Sequence, residues 1–282
     1  MVERRPVATF FTHAFIWLGI LVVAFPIWIT FVAASHDSVR VLQVPLPLWP
    51  GDLFFENLKS AFSEGVGNAR EQSIGIMLFN SLVMALMIAS GKIVISLLSA
   101  FAIVYFKFPF RMAFFWLIFI TLMLPVEVRI LPTFEVVANF GMLNNYWGLS
   151  IPLIASATAT FMFRQVFLTI PDEMLEAARI DGAGPLRFFI DILVPLSRTN
   201  IAALFVILFI YGWNQYLWPL LITTDKDMYT IVMGIKQMLE AAEESPEWHL
   251  IMMTTLLAMI PPVIVVVTMQ QLFVRGLTET EK

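Results

Sequence analysis

The chain has 282 residues, of which 59% are hydrophobic and 13% charged, with a formal net charge of -4 and no cysteine. A soluble domain carries roughly a quarter charged residues, so this composition points to an integral membrane protein, and the small, scattered charge lacks the clustered basic face that nucleic acid requires. No disulfide, thiolate metal site or thiol nucleophile can form, and His13, His36 and His249 lie too far apart in sequence to share a ligand spacing.

The first apolar run covers about residues 10–34, behind Arg4 and Arg5. It is longer than the roughly 7 to 15 residues of a secretory signal core, which predicts a retained first helix. The second run, about 76–105, and the third, about 112–131, are separated by Lys107, Phe108, Pro109, Phe110 and Arg111, a short turn at one membrane face. Further runs at about 146–167, 201–223 and 250–274 follow. Each is long enough to cross about 30 Å of hydrocarbon, and each is continuously apolar, which predicts helices and not the two-residue alternation of a barrel. The expected fold is all-α and integral to the membrane, with six transmembrane helices.

Lys and Arg sort the loops. With the amino terminus inside, Arg4, Arg5, Lys107, Arg111, Arg164, Arg179, Arg187, Arg198, Arg275 and Lys282 are all cytoplasmic. Arg40, Lys59, Arg70, Arg129, Lys226 and Lys236 then lie outside, spread over longer segments. Both termini are expected in the cytoplasm, with segments 35–73 and 224–248 as solvated outer loops. Trp49, Trp147, Trp218 and Trp248 fall near predicted membrane edges, where an amphipathic ring is stable.

The inner segment 168–200 is a polar island between two apolar runs. Pro171 suits a helix start, Asp172 and Glu173 complement the helix dipole, and Gly182 with Gly184 ends a helix of about 172–181. Pro185 opens a second helix in which Leu186, Phe189, Ile190 and Leu193 recur at helical spacing, and Pro195 should break or bend it. Ala177 and Ala178 permit close approach of another surface, while Glu176, Arg179 and Asp181 supply polar register. A docking element for a soluble partner and an ordinary interfacial loop both fit these features.

The pattern Glu176, Ala177, Ala178, then Gly182, Ile192 and Pro195 resembles the signature loop of ABC importer permeases, with Val194 and Thr199 where that family has leucine and often proline. The stretch Tyr211, Gly212, Trp213, Asn214, Gln215, Tyr216, Leu217, Trp218, Pro219, Leu220 resembles the fifth-helix motif of the carbohydrate-uptake branch. Segments 119–129 and 155–161 are similar to those of second permease subunits of sn-glycerol-3-phosphate uptake systems. The resemblance covers nearly the whole chain. It implies the type I importer fold: an amino-terminal helix and outer loop over 1–75, a five-helix core over 76–275 containing the coupling loop 168–200, and a cytoplasmic tail over 276–282.

It also implies a bacterial inner-membrane assembly with a second permease subunit, two ATPase subunits and an extracytoplasmic substrate-binding protein. Glu176, Ala177, Ala178, Arg179, Asp181, Gly182, Ala183 and Pro195 would couple this chain to the ATPase. ATP and Mg would be bound by the ATPase chain and no cofactor by this one. Gly91 and Lys92 are followed by Ile93 inside an apolar run, with no glycine five positions before Gly91, so they form no phosphate-binding loop.

A cation near mid-span costs about 2.5 to 3.5 kcal/mol on insertion scales. Lys92 therefore either sets a positive potential for a phosphate-bearing substrate, or pairs with a carboxylate or carbonyls, or snorkels. Arg129, with Glu127 beside it, fits a role at the mouth of a pathway or local charge pairing. Asn80, Asn214, Gln215 and Tyr216 are candidates to line the route, and equally fit interhelical hydrogen bonding, worth about 0.6 kcal/mol on average. Pro125, Pro132, Pro152, Pro219, Pro261 and Pro262 mark expected kinks. The alternatives are a permease for a neutral sugar or oligosaccharide and a stand-alone secondary transporter. Against the second, no repeat relates residues 1–141 to 142–282. An intramembrane hydrolase lacks its nucleophile and base.

Overall fold

Backbone that enters hydrocarbon must satisfy its own N–H and C=O groups, and this chain does so with helices. The computed structural model describes residues 6–64, 73–121, 124–242 and 247–278, and among the described residues there is no strand. Arg4, Arg5, Arg70 and Lys282 lie outside the described residues, as do the side chains of Glu127 and Arg275. The chain divides into two compact units, Met1–Gly75 with Gly234–Ile260, and Ile76–Met233 with Pro261–Lys282.

In the first unit, α1 (Pro6–Ala34) exposes apolar side chains along most of its length and becomes buried only at Val32, Ala33 and Ala34. The described residues of segment 35–73 carry two short helices, α2 (Ser38–Leu42) and α3 (Phe54–Glu64). The Asn57 amide donates to Ala34 O and His36 O, both at 2.8 Å, and ties α3 to the end of α1.

The second unit holds α4 (Ile74–Tyr105) from Ile76 on, uninterrupted. After a turn in which Phe110 takes a left-handed conformation, the third apolar run forms two helices, α5 (Arg111–Ile120) and α6 (Val126–Asn139), instead of the single span expected. Pro125 cannot continue the α5 ladder and directly precedes α6. The fourth run also divides, into α7 (Tyr146–Ser150) with a 3-10 turn at Ile151–Leu153, and α8 (Ala157–Leu168), bent by 54°. Pro152 removes a donor at the break, and the Ser156 hydroxyl accepts from Ala159 N to start α8 afresh.

The inner loop supplies α9 (Asp172–Ile180), α10 (Pro185–Phe188), a π turn at Phe189–Leu193 and α11 (Val194–Leu196). The fifth run forms α12 (Arg198–Trp213), bent by 74° from the preceding segment, and stops before α13 (Leu217–Ile222). Finally come α14 (Ile231–Ala241) and α15 (Trp248–Thr278), the latter passing through Pro261 and Pro262 without interruption. Three described helices are long and apolar enough to cross a membrane, or five if each bent pair counts as one span.

The core of the second unit joins Met84 and Ile88 of α4, Ile130 and Val137 of α6, Leu149 and Leu153, and Trp218 and Ile222 of α13. Trp218 is therefore no interfacial anchor within this chain: it is buried, and its indole N–H donates to Gly148 O at 3.1 Å. Glycines let helices touch. A Cβ on Gly212 would stand 2.9 Å from Ala85 Cα, which brings α12 onto α4 at backbone contact.

Candidate functional site

The polar loop is built from local signals that agree with one another. Asp172 and Glu173 occupy the first turn of α9 and Arg179 the last, each complementing the dipole. Gly182 adopts φ +73°, and the N–H groups of Gly182 and Ala183 donate to Arg179 O at 3.0 Å and Ala178 O at 2.8 Å. This is a Schellman closure, and the left-handed residue it requires is glycine. Gly184 then precedes α10, with Pro185 in its first turn. The ladder slips into a π turn just before Pro195, which lacks the N–H for a regular α bond. The sharp bend itself comes between Leu196 and Arg198, after Pro195.

Around this corner Glu176, Ala177, Arg179, Asp181, Gly182 and Pro195 are exposed and Ala183 is half-buried. Ala178 differs from its expected role at a docking surface. It is buried within the chain, facing a cavity of about 430 Å³ whose lining includes Tyr105 and Phe188. The single amphipathic face expected of Leu186, Phe189, Ile190 and Leu193 is also divided. Phe188 and Leu193 are buried, Phe189 packs on Phe101 at 5.0 Å, and Leu186 and Ile190 are exposed, because the π turn shifts the helical register. Ile180, 86% exposed at the corner, was not singled out from sequence. The signal for it is an apolar residue two positions before the terminating glycine.

Within the apolar elements the polar candidates separate. Asn80 does not line a surface: it is 1% exposed, its amide donates to Asp227 O at 2.8 Å and Tyr229 O at 3.0 Å, and its carbonyl accepts from the Tyr146 hydroxyl at 2.7 Å. With three long-range bonds it is a clamp between α4 and two later segments. Asn214, Gln215 and Tyr216 form the break between α12 and α13; Asn214 is exposed, and the Gln215 amide donates to Tyr211 O at 3.0 Å. Lys92 and Arg129 share one cleft of about 390 Å³. The Lys92 ammonium lies 3.9 Å from the centroid of the Tyr211 ring.

A family model described as the binding-protein-dependent transport system inner membrane component matches residues 92–279. The chain belongs to this family. Like other members it is a subunit of an ABC importer, a multi-pass component of the inner membrane and a transport protein, not an enzyme. It is 59% identical to the sn-glycerol-3-phosphate transport system permease protein UgpE of Rhizobium meliloti (strain 1021), 60% to that of Agrobacterium fabrum and 58% to that of Escherichia coli K12. Each match covers 100% of both chains. Among solved structures, a bacterial ABC transporter involved in the import of the acidic polysaccharide alginate matches with a TM-score of 0.76 over 96% of this chain and 98% of that one. At 20% identity this likeness concerns the fold.

Proposed function

We propose that this chain is one permease subunit of an ABC importer for sn-glycerol-3-phosphate, pairing with a second, different permease to enclose the pathway. The observation that carries the substrate is the 58–60% identity, over the full length, to permeases named for that solute. The assembly further contains two ATPase subunits, which bind ATP and Mg, and a binding protein that delivers solute from outside. In the membrane the chain has six spans and both termini in the cytoplasm, which requires the broken runs to cross as bent or paired helices. Residues 76–275 form the core around the pathway.

Coupling runs through the loop 168–200. The exposed rim of Glu176, Ala177, Arg179, Asp181 and Gly182, with Ile180 beside it, docks on the ATPase, while Ala178 and Ala183 hold the corner against the rest of the chain. Nucleotide-driven closure of the ATPases then moves α9 as a rigid piece, and the continuous path through α10 and α11 passes that motion to α12. This is a coupling free energy expressed as rigid-body rocking, with no chemistry in this chain.

The test is ATPase activity of the assembled complex with its binding protein, screened with sn-glycerol-3-phosphate, glycerophosphodiesters and neutral sugars. Stimulation by the phosphorylated solutes is expected. A preference for neutral sugars overturns the substrate assignment, and solute uptake by this chain alone, without a partner permease, an ATPase or a binding protein, overturns the multi-subunit one.

A further inference from the structure

We propose that the cleft between Lys92 and Arg129 is an anion-binding subsite of this subunit, taking the phosphate monoester of the transported solute; this rests on the function proposed above. Lys92 stands in the middle third of α4 and is only 7% exposed. A buried mid-span ammonium faces water, a partner charge or a bound ion. Among the described residues it has no ion pair and no hydrogen bond, only the face of the Tyr211 ring, which attracts the cation without neutralising it.

The rest of the cleft has the same sign. Arg129 of α6 lines it, and no described carboxylate does. Ser99, Ser156 and Thr158 add hydroxyls. The break before α8 opens onto the cleft, so the first turn of a 12-residue helix contributes its positive end there. That break is held in place by α4. The Ser96 hydroxyl donates to Ser156 O at 3.2 Å, and Gly91 leaves room for Ile154, whose Cγ2 would stand 2.6 Å from a Cβ at that position. Glycine thus sits next to the lysine for a reason of packing. A volume of about 390 Å³ suits a small solute. Two cations, hydroxyl donors and a helix start fit a doubly charged phosphate, and the guanidinium can bind it through two parallel hydrogen bonds.

A lipid phosphate has the same chemistry, so the experiment separates the two sources. The complete importer with its binding protein is reconstituted in liposomes of phosphatidylcholine alone and of phosphatidylcholine with phosphatidylglycerol, and uptake of radiolabelled sn-glycerol-3-phosphate is measured. Lys92→Gln and Arg129→Gln are expected to slow uptake about tenfold in both lipids, the loss of one charged hydrogen bond. Lys92→Arg should restore most of it, and Arg129→Lys part of it, because an ammonium keeps the charge but not the paired hydrogen bonds. Assembly is checked by co-purification; Arg129 is exposed, so its variants decide the matter if a Lys92 variant fails to assemble. Wild-type uptake rates in both Gln variants overturn the subsite. A loss confined to phosphatidylglycerol liposomes assigns the cleft to a lipid headgroup and also overturns it. Absence of sn-glycerol-3-phosphate uptake by the wild-type complex is a different result, which removes the underlying function as well.

Discussion

Substitution of Gly182 by alanine, asparagine and valine separates backbone conformation from bulk at the coupling corner. The residue sits at φ +73°, and a Cβ built on it meets nothing within 4 Å of this chain. The intrachain cost is therefore conformational. Left-handed geometry costs a residue with a Cβ roughly 1–2 kcal/mol, less for asparagine and more for a β-branched residue. If the corner opens, the bonds from Ala183 N to Ala178 O and from Gly182 N to Arg179 O are lost and the last turn of α9 frays. A penalty of that size lowers the population of the closed corner by a factor of about 5 to 30. The assay is uptake and binding-protein-stimulated ATPase activity of the reconstituted complex, with co-purification of the ATPase as the measure of docking. The expected order of coupling is glycine, asparagine, alanine, valine, with the permease still inserted in every case. Coupling by Gly182→Ala equal to wild type would refute the conformational argument. Asparagine as damaging as valine would show that bulk at the partner surface decides instead.

Two further perturbations test the packing. Asn80→Ala removes three hydrogen bonds made by a buried amide to half-buried or exposed residues, each worth about 0.5–1.5 kcal/mol net; thermal unfolding of the purified complex should move down by several degrees with solute preference unchanged. A changed solute preference at unchanged stability would return Asn80 to the pathway. Gly212→Ala drives a Cβ to 2.9 Å from Ala85 Cα, backbone that has nowhere to rotate, and should cost about 1–3 kcal/mol. Gly91→Ala meets only the Ile154 side chain, so Ile154→Ala should rescue it and not Gly212→Ala; a thermal double-mutant cycle with no such coupling refutes the close approach.

The coupling corner was legible because its determinants are local. A proline start, acidic first turn and terminating glycine act within one or two turns of backbone, and the structure keeps α9 at Asp172–Ile180 and the left-handed residue at Gly182. The apolar runs were legible as membrane-spanning material for a similar reason, since transfer to hydrocarbon depends on composition summed over about 20 residues. Their continuity was not. A count of apolar residues is blind to missing donors, and the breaks at Pro125 and Ser156 follow from a backbone bond that cannot be made and from one that a hydroxyl makes. Proline positions flagged some of these, yet Pro261 and Pro262 carry the same flag inside an unbroken α15.

Chemical identity along the chain thus determined that it is helical, lipid-embedded and equipped with a polar corner. Only the tertiary structure decided which side chains are available there and which are consumed in holding the fold. Ala177 faces out while Ala178 packs inward, because Tyr105 and Phe188 close over one side of the corner. Asn80 is spent on partners 66, 147 and 149 residues away, whereas Lys92, on the same helix, has only the face of the Tyr211 ring among the described residues. Helical periodicity assigns a residue to a face. What that face meets depends on elements distant in sequence, whose arrangement is set by the packing of the whole unit.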